Sequence, residues 1–192
     1  MAKIDTFYSA FDGVSLGAEW QLTSTNPTSA TESGGNLVIE SLSGSVLSGV
    51  ETVNTFDWTN SSLIVEVPSG ARSDSTYIQA VAASGFSPAI RVNSGPRPSA
   101  GFLTTSYGNY ALGTSGHRFV RLTHDGTNFT WEGSTDGISW TLFHTQSVGT
   151  FGAVTSSRLR ITTQNASVTS FTVAAIGTAP ATARFRPYFI TG

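Results

Sequence analysis

Phe119-Val120-Arg121-Leu122-Thr123-His124-Asp125-Gly126-Thr127-Asn128-Phe129-Thr130-Trp131-Glu132-Gly133-Ser134-Thr135-Asp136-Gly137-Ile138-Ser139-Trp140-Thr141-Leu142-Phe143 decides the fold class. Val120 and Leu122 alternate with polar neighbours, as do Phe129 and Trp131, and then Ile138, Trp140 and Leu142. Period two is the signature of a strand with one buried face. Asp125-Gly126 and Asp136-Gly137 fall between these runs, and Asp-Gly pairs favour the turns whose twist matches that of paired strands. The spacing predicts a three-strand antiparallel meander, with both aspartates as turn residues rather than ligands. Trp131 and Trp140, facing each other across the second turn, are expected to anchor the sheet as buried rings.

The same period runs outward in both directions, and no segment carries a helical stripe. Leu37 and Ile39 alternate with Val38 and Glu40, Leu63, Val65 and Val67 with Ile64 and Glu66, and Leu159 and Ile161 with Arg158, Arg160 and Thr162. Turn clusters separate them: Ser33-Gly34-Gly35-Asn36, Ser94-Gly95-Pro96, Gly113-Thr114-Ser115-Gly116. About one strand per ten residues predicts an all-β chain, a two-sheet antiparallel sandwich or jelly roll.

At 192 residues the chain is long enough to bury a core without staples, and with no cysteine it has none. Only 11% of residues are charged, yet 39% are hydrophobic, which separates it from disordered polar chains. A formal charge of −2 offers no general attraction to nucleic acid or anionic membrane, and no run of eighteen apolar residues can span a bilayer. Met-Ala-Lys-Ile-Asp leads straight into strand-like sequence without a cationic stretch and apolar core, so a cytoplasmic site of synthesis without a cleaved signal is expected. Residues 1–71 hold eight carboxylates and one cation, whereas residues 72–192 hold nine arginines and four carboxylates. Either an oligomer pairs these halves, or interleaved early and late strands mix the charges within one subunit.

The last stretch has a different character. Ala174 to Ala183 dissolves into small residues, and then Arg184-Phe185-Arg186-Pro187-Tyr188-Phe189-Ile190 crowds four large apolar side chains among two cations. Residues 1–176 are expected to form the sandwich and 177–192 an extended C-terminal arm. Its apolar residues must fold back or find a partner, and the small-residue spacer favours docking through Arg184, Phe185, Arg186, Tyr188 and Phe189.

Five phrases carry a family resemblance: Asp5-Thr6-Phe7 with Leu16-Gly17-Ala18-Glu19-Trp20; Gly35-Asn36-Leu37-Val38-Ile39; Arg121-Leu122-Thr123-His124-Asp125-Gly126; and Ser134-Thr135-Asp136-Gly137-Ile138-Ser139-Trp140. In this order, over about 170 residues, the chain resembles the concanavalin A-like lectin/glucanase superfamily in its laminin-G-like and glucanase-related branches. The resemblance implies two antiparallel sheets, one concave, with the first strand, residues 4–8, beside the last, residues 167–174. It places Trp20, Trp131 and Trp140 in packing phrases, while Trp58 can be a loop or a core ring. The opening phrase is also similar to that of minor tail proteins of bacteriophages infecting actinobacteria, which implies a virion location, other tail proteins as partners and a homotrimer.

Glucanases of the superfamily carry Glu-x-Asp-x-x-Glu on one strand, because alternate positions project side by side and can share nucleophile and acid roles. That phrase is absent, and Glu132 and Asp136 straddle a strand end and a turn. His117, His124 and His144 are isolated, with no second ligand at metal spacing, and His124 reads as a strand-end residue with one hydrogen bond. No Gly-x-Ser-x-Gly elbow, phosphate loop or Asp-rich calcium loop stands out, so no catalytic residue, metal or cofactor is assigned. Sugar recognition asks for less: aromatic faces beside planar amides or guanidinium groups. Tyr77 and Gln79 share one strand face, Arg91 opposes Ile90 and Val92, and Tyr107-Gly108-Asn109-Tyr110 reads as a loop with two exposed rings. Tyr77, Gln79, Arg91, Tyr107 and Tyr110 are the candidates, although solvated strand faces have the same composition. The resemblance therefore leads to an expected non-enzymatic virion protein, a phage minor tail protein whose lectin-like domain meets host cell-wall glycan. The alternative is a free carbohydrate-binding module or lectin of a bacterial surface system.

Overall fold

A computed structural model describes residues 1–23, 29–41, 44–66, 75–81, 87–92, 99–101, 109–111, 118–165, 169–173 and 175–177. All pairings between named strands are antiparallel. One sheet has six strands in the order β1 (Tyr8–Ser9), β16 (Ala175–Gly177), β6 (Ser61–Glu66), β11 (Phe119–His124), β12 (Asn128–Ser134) and β13 (Thr141–Ser147). The second has five, in the order β2 (Trp20–Leu22), β5 (Gly44–Thr52), β14 (Arg158–Asn165), β7 (Ser75–Val81) and β8 (Ala89–Val92). Two smaller sheets complete the set: β15 (Thr169–Val173), β4 (Asn36–Ser41) and β3 (Ser29–Ser33), and the pair β10 (Asn109–Ala111) and β9 (Ser99–Gly101).

The alternation in the sequence is the alternation in burial. Leu63 and Val65 of β6 and Val120 and Leu122 of β11 point inward, with half-buried residues between them. They meet Val50, Ile78, Ala80, Ile90, Leu159 and Ile161 from the five-stranded sheet in one continuous core. Trp131 of β12 is 1% exposed, and its Nε1–H donates to the Ala89 carbonyl on β8 at 2.8 Å, a direct bond between the two large sheets. Trp20 and Trp58 are core rings too. The turn chemistry also holds. Gly34 and Gly35 lie at φ +59° and +75° between the paired Ser33 and Asn36, a two-residue hairpin connection that needs left-handed backbone twice. Asp125 accepts the N–H groups of Thr127 and Asn128, and Asp136 those of Ile138 and Ser139. These bonds hold the Asp136 carboxyl at about 2, below its ordinary value.

Three local expectations are corrected. Residues 4–6 form a 3₁₀ turn, and β1 pairs with β16 rather than with residues 167–174, which instead supply β15, the partner of β4. Tyr110 and Asn109 belong to strand β10, paired with Ala100 and Gly101, not to a loop. The third meander strand begins only at Thr141, and Trp140 is half-buried on the outer face of the sheet, where the Arg121 guanidinium sits 4.2 Å from its ring centre. A bulge explains this. Trp131 faces His144 but Glu132 faces Leu142, so Phe143 is the extra residue, and the phase of the strand shifts by one. The shift leaves Leu142 58% exposed and turns Phe143 towards the core, while Ile138, in the turn ahead of the strand, is 82% exposed. Trp140→Ala is consequently expected to cost about 1 kcal/mol, the scale of an exposed cation–π contact. Chemical denaturation checks this, and a loss near that of a buried ring would contradict the placement.

Among the described residues, part of the charge asymmetry is paired within the chain. Glu66 pairs with Arg118, and Glu51 with both Arg158 and Arg160, so early carboxylates meet late arginines across neighbouring strands.

Candidate functional site

In antiparallel pairs, residues directly opposite share a face, so register alone assembles the outer face of the five-stranded sheet. Gln21 lies opposite Glu51, Glu51 opposite Arg160, Arg160 opposite Gln79, and Gln79 opposite Ala89. One row thus crosses all five strands, a width of ~19 Å at the usual strand spacing. The adjacent row runs from Gly49 through Thr162 and Tyr77 to Arg91. Gly49 is where a side chain has no room: a Cβ there would collide with the Ile161 carbonyl oxygen on β14.

Glu51 organises the first row. Only 7% exposed, it accepts Gln21 Nε2–H at 2.8 Å and Arg158 Nη1–H at 2.7 Å on Oε1, and Arg160 Nε–H at 3.0 Å and Nη2–H at 2.7 Å on Oε2. Burial by itself would raise the carboxyl's pKa. The hydrogen bonds from Arg160 and Gln21, the charge of Arg160 and the bond from Arg158 outweigh it and hold Glu51 below the ordinary glutamate value. Beside this network lie two buried atoms that have no partner among the described residues, Gln79 Oε1 and Thr162 Oγ1. An orphaned buried acceptor or hydroxyl costs the full desolvation of the group, so such atoms mark a place where water or a ligand completes the bonding.

Of the sequence candidates, the structure brings Tyr77, Gln79 and the backbone position of Arg91 together on this face. Tyr110 is placed elsewhere, on β10. Tyr107 and the docking residues Arg184, Phe185, Arg186, Tyr188 and Phe189 lie outside the described residues. Gln21, Glu51, Arg158, Arg160 and Thr162 were missed. A signal existed: two arginines in alternate positions of an otherwise half-apolar strand require a counter-charge. The carboxylate that answers lies more than a hundred residues away, beyond any local pattern.

A depression of about 530 Å³ opens on the outer face of the six-stranded sheet beside Ser62, Arg121, Thr123, His124 and Asp125. Several of its polar groups already pair with protein partners. The Ser62 and Thr123 hydroxyls bond each other at 2.8 Å, and Arg121 makes a two-pronged ion pair with Glu132 at 2.6 and 2.7 Å. His124 Nδ1 accepts the Gly126 N–H at 2.9 Å while burial lowers its pKa. Glu132 is thus an ion-pair partner and Asp136 a turn residue, and among the described residues no three His, Asp or Glu side chains gather as metal ligands.

No protein-family model and no curated protein sequence matches the chain. Solved structures do. The catalytic domain of an endo-1,3-β-glucanase (laminarinase) from Thermotoga petrophila is 9% identical, with a TM-score of 0.62, over 89% of this chain and 95% of that one. SCLam, a non-specific endo-β-1,3(4)-glucanase of family GH16, is 11% identical, with a TM-score of 0.61, over 89% of this chain and 88% of that one. The GH43B protein of a Bacteroides ovatus xyloglucan locus is 12% identical, with a TM-score of 0.60; the match covers 92% of this chain but only 39% of that one. These neighbours overturn the expectation of a non-enzymatic phage tail protein, because carbohydrate-active enzymes are what share this sandwich over most of the chain. At these identities the likeness establishes architecture: the chain folds as a concanavalin A-like jelly roll of the kind found in these glucanases.

Proposed function

We propose that the chain is a carbohydrate-active protein that holds a polysaccharide across the outer face of its five-stranded sheet. The observation that carries this reading is the pair of buried, unpartnered polar atoms, Gln79 Oε1 and Thr162 Oγ1, flanking the fixed Glu51–Arg160 network. A sugar hydroxyl donating to Gln79 Oε1 and a second one bonding Thr162 would satisfy both. The glucanase neighbours support the same chemistry. Glycosidases use one ionised and one protonated carboxyl. Glu51 fits the ionised role alone, since its arginine partners hold it charged, and it is the one carboxylate on the strands of this sheet. A proton donor for turnover has to come from outside those strands.

The test uses laminarin and a mixed-linkage β-1,3(4)-glucan, with calorimetric binding and reducing-end release as readouts. Gln79→Met keeps the volume but removes the amide, and is expected to weaken binding by about 3- to 10-fold, one hydrogen bond's worth. Its melting temperature should hold or rise, because an unsatisfied buried acceptor has been removed. Weakened binding with unchanged or higher stability is the mark of a ligand group. Absence of binding and product with the unaltered protein on every polysaccharide offered, neutral and acidic alike, would overturn the reading.

A further inference from the structure

Among the described residues, the outer face of the five-stranded sheet carries more positive charge than its one carboxylate can neutralise. Arg158 and Arg160 both close on Glu51, two guanidinium groups on one carboxylate, and their side chains remain 40% and 33% exposed. Arg158 spends only Nη1 on this contact and Arg160 only Nε and Nη2. Among the described residues, Arg158 Nε and Nη2 and Arg160 Nη1 have no acceptor. Register sets a third arginine, Arg91, in the row of Tyr77 and Thr162, two strands from β14. The strands of this sheet therefore hold three arginines against Glu51 alone. Like charges brought together at a partly dry surface repel, and an anion seated between them relieves the repulsion while taking up the spare donors. A planar carboxylate matches a guanidinium edge particularly well.

Resting on the polysaccharide reading above, we propose that the glycan held on this face is acidic, a polymer whose repeating sugars bear carboxylate groups. The two kinds of unmet bonding separate cleanly. Arg158 and Arg160 provide donors for the carboxylate, while Gln79 Oε1 is an acceptor that only a hydroxyl or N–H can satisfy. A sugar acid presents both groups on one ring. A neutral glucan answers Gln79 and Thr162 but leaves the arginines unneutralised.

Three probes separate this inference from the reading beneath it: polygalacturonate, the same polymer with its carboxyls methyl-esterified, and neutral laminarin. Each is titrated against the full chain at low salt and at 0.5 M NaCl. Polygalacturonate is expected to bind at least tenfold more tightly than the esterified polymer at low salt, and the advantage should collapse at high salt, where charge interactions are screened. Arg158→Gln should erase most of that advantage, weakening binding of polygalacturonate far more than binding of the esterified polymer. Glu51 keeps Arg160 and Gln21 in that variant, and a thermal melt confirms that it folds. Equal binding of the acidic and esterified polymers, or an acid preference that survives Arg158→Gln, overturns the inference and leaves the polysaccharide reading standing. Binding of none of the three overturns both.

Discussion

Trp131→Ala is expected to lower the free energy of unfolding by about 3–5 kcal/mol, the range for deleting a fully buried aromatic ring from a core that cannot collapse into the space. The ring is 1% exposed and packs beside Phe129 and Phe151, with centroids 6.2 and 6.1 Å away. Its indole N–H is also the bond to Ala89 that joins β12 to β8 across the sandwich. The truncation therefore opens a cavity and strands a buried carbonyl. Urea denaturation followed by far-UV circular dichroism measures the loss. Trp140→Ala in the same experiment provides the internal contrast: its ring has a similar sequence setting and a different environment. Equal losses in the two variants would mean that the bulge after Trp131 does not reverse the strand.

Glu51→Gln is expected to cost about 2–3 kcal/mol at neutral pH. Removing one member of a buried ion pair leaves the other uncompensated, an effect of ~3–5 kcal/mol in a dry site. Here the arginines reach water along a third or more of their side chains, and solvent screens part of the loss. The variant also alters the response to acid. Because folding lowers the Glu51 pKa below 4.5, its contribution is fully present above that value and is lost as pH falls through the folded-state pKa. Asp57, held well below its ordinary value by hydrogen bonds from Lys3 and Thr59, acts in the same direction. The unaltered protein should lose stability progressively as pH falls below 4.5, and Glu51→Gln should show a shallower loss over the same interval. Parallel pH profiles would show that Glu51 does not titrate differently on folding.

The Asp125-Gly126 and Asp136-Gly137 turns, the Gly34-Gly35 hairpin and the buried faces of β6, β11 and β12 were all legible in the sequence. Their causes are local: left-handed backbone requires glycine, a short carboxylate caps the N–H groups two and three residues on, and a strand exposes alternate side chains to opposite faces. Composition and strand spacing extended this to an all-β sandwich, and that is the architecture observed. Local rules failed where a single residue altered the register. Ile138, Trp140 and Leu142 alternate as a buried face should, but the extra residue at Phe143 turns Leu142 outward, and the edge position of β13 leaves no further strand to cover it.

The candidate site divides along the same line. Tyr77 and Gln79 could be placed on one face from their own strand, because their relation is a two-residue spacing. Their neighbours could not, since Gln21, Glu51, Arg158 and Arg160 come from three strands whose pairing spans up to 109 residues of sequence. Which carboxylate answers which arginine is set by strand order and register, and these follow from the burial of both sheets against one another. The sequence by itself determined which side chains point the same way along each strand. Only the tertiary structure decided which strands lie side by side, because that choice minimises exposed apolar area over the whole chain at once.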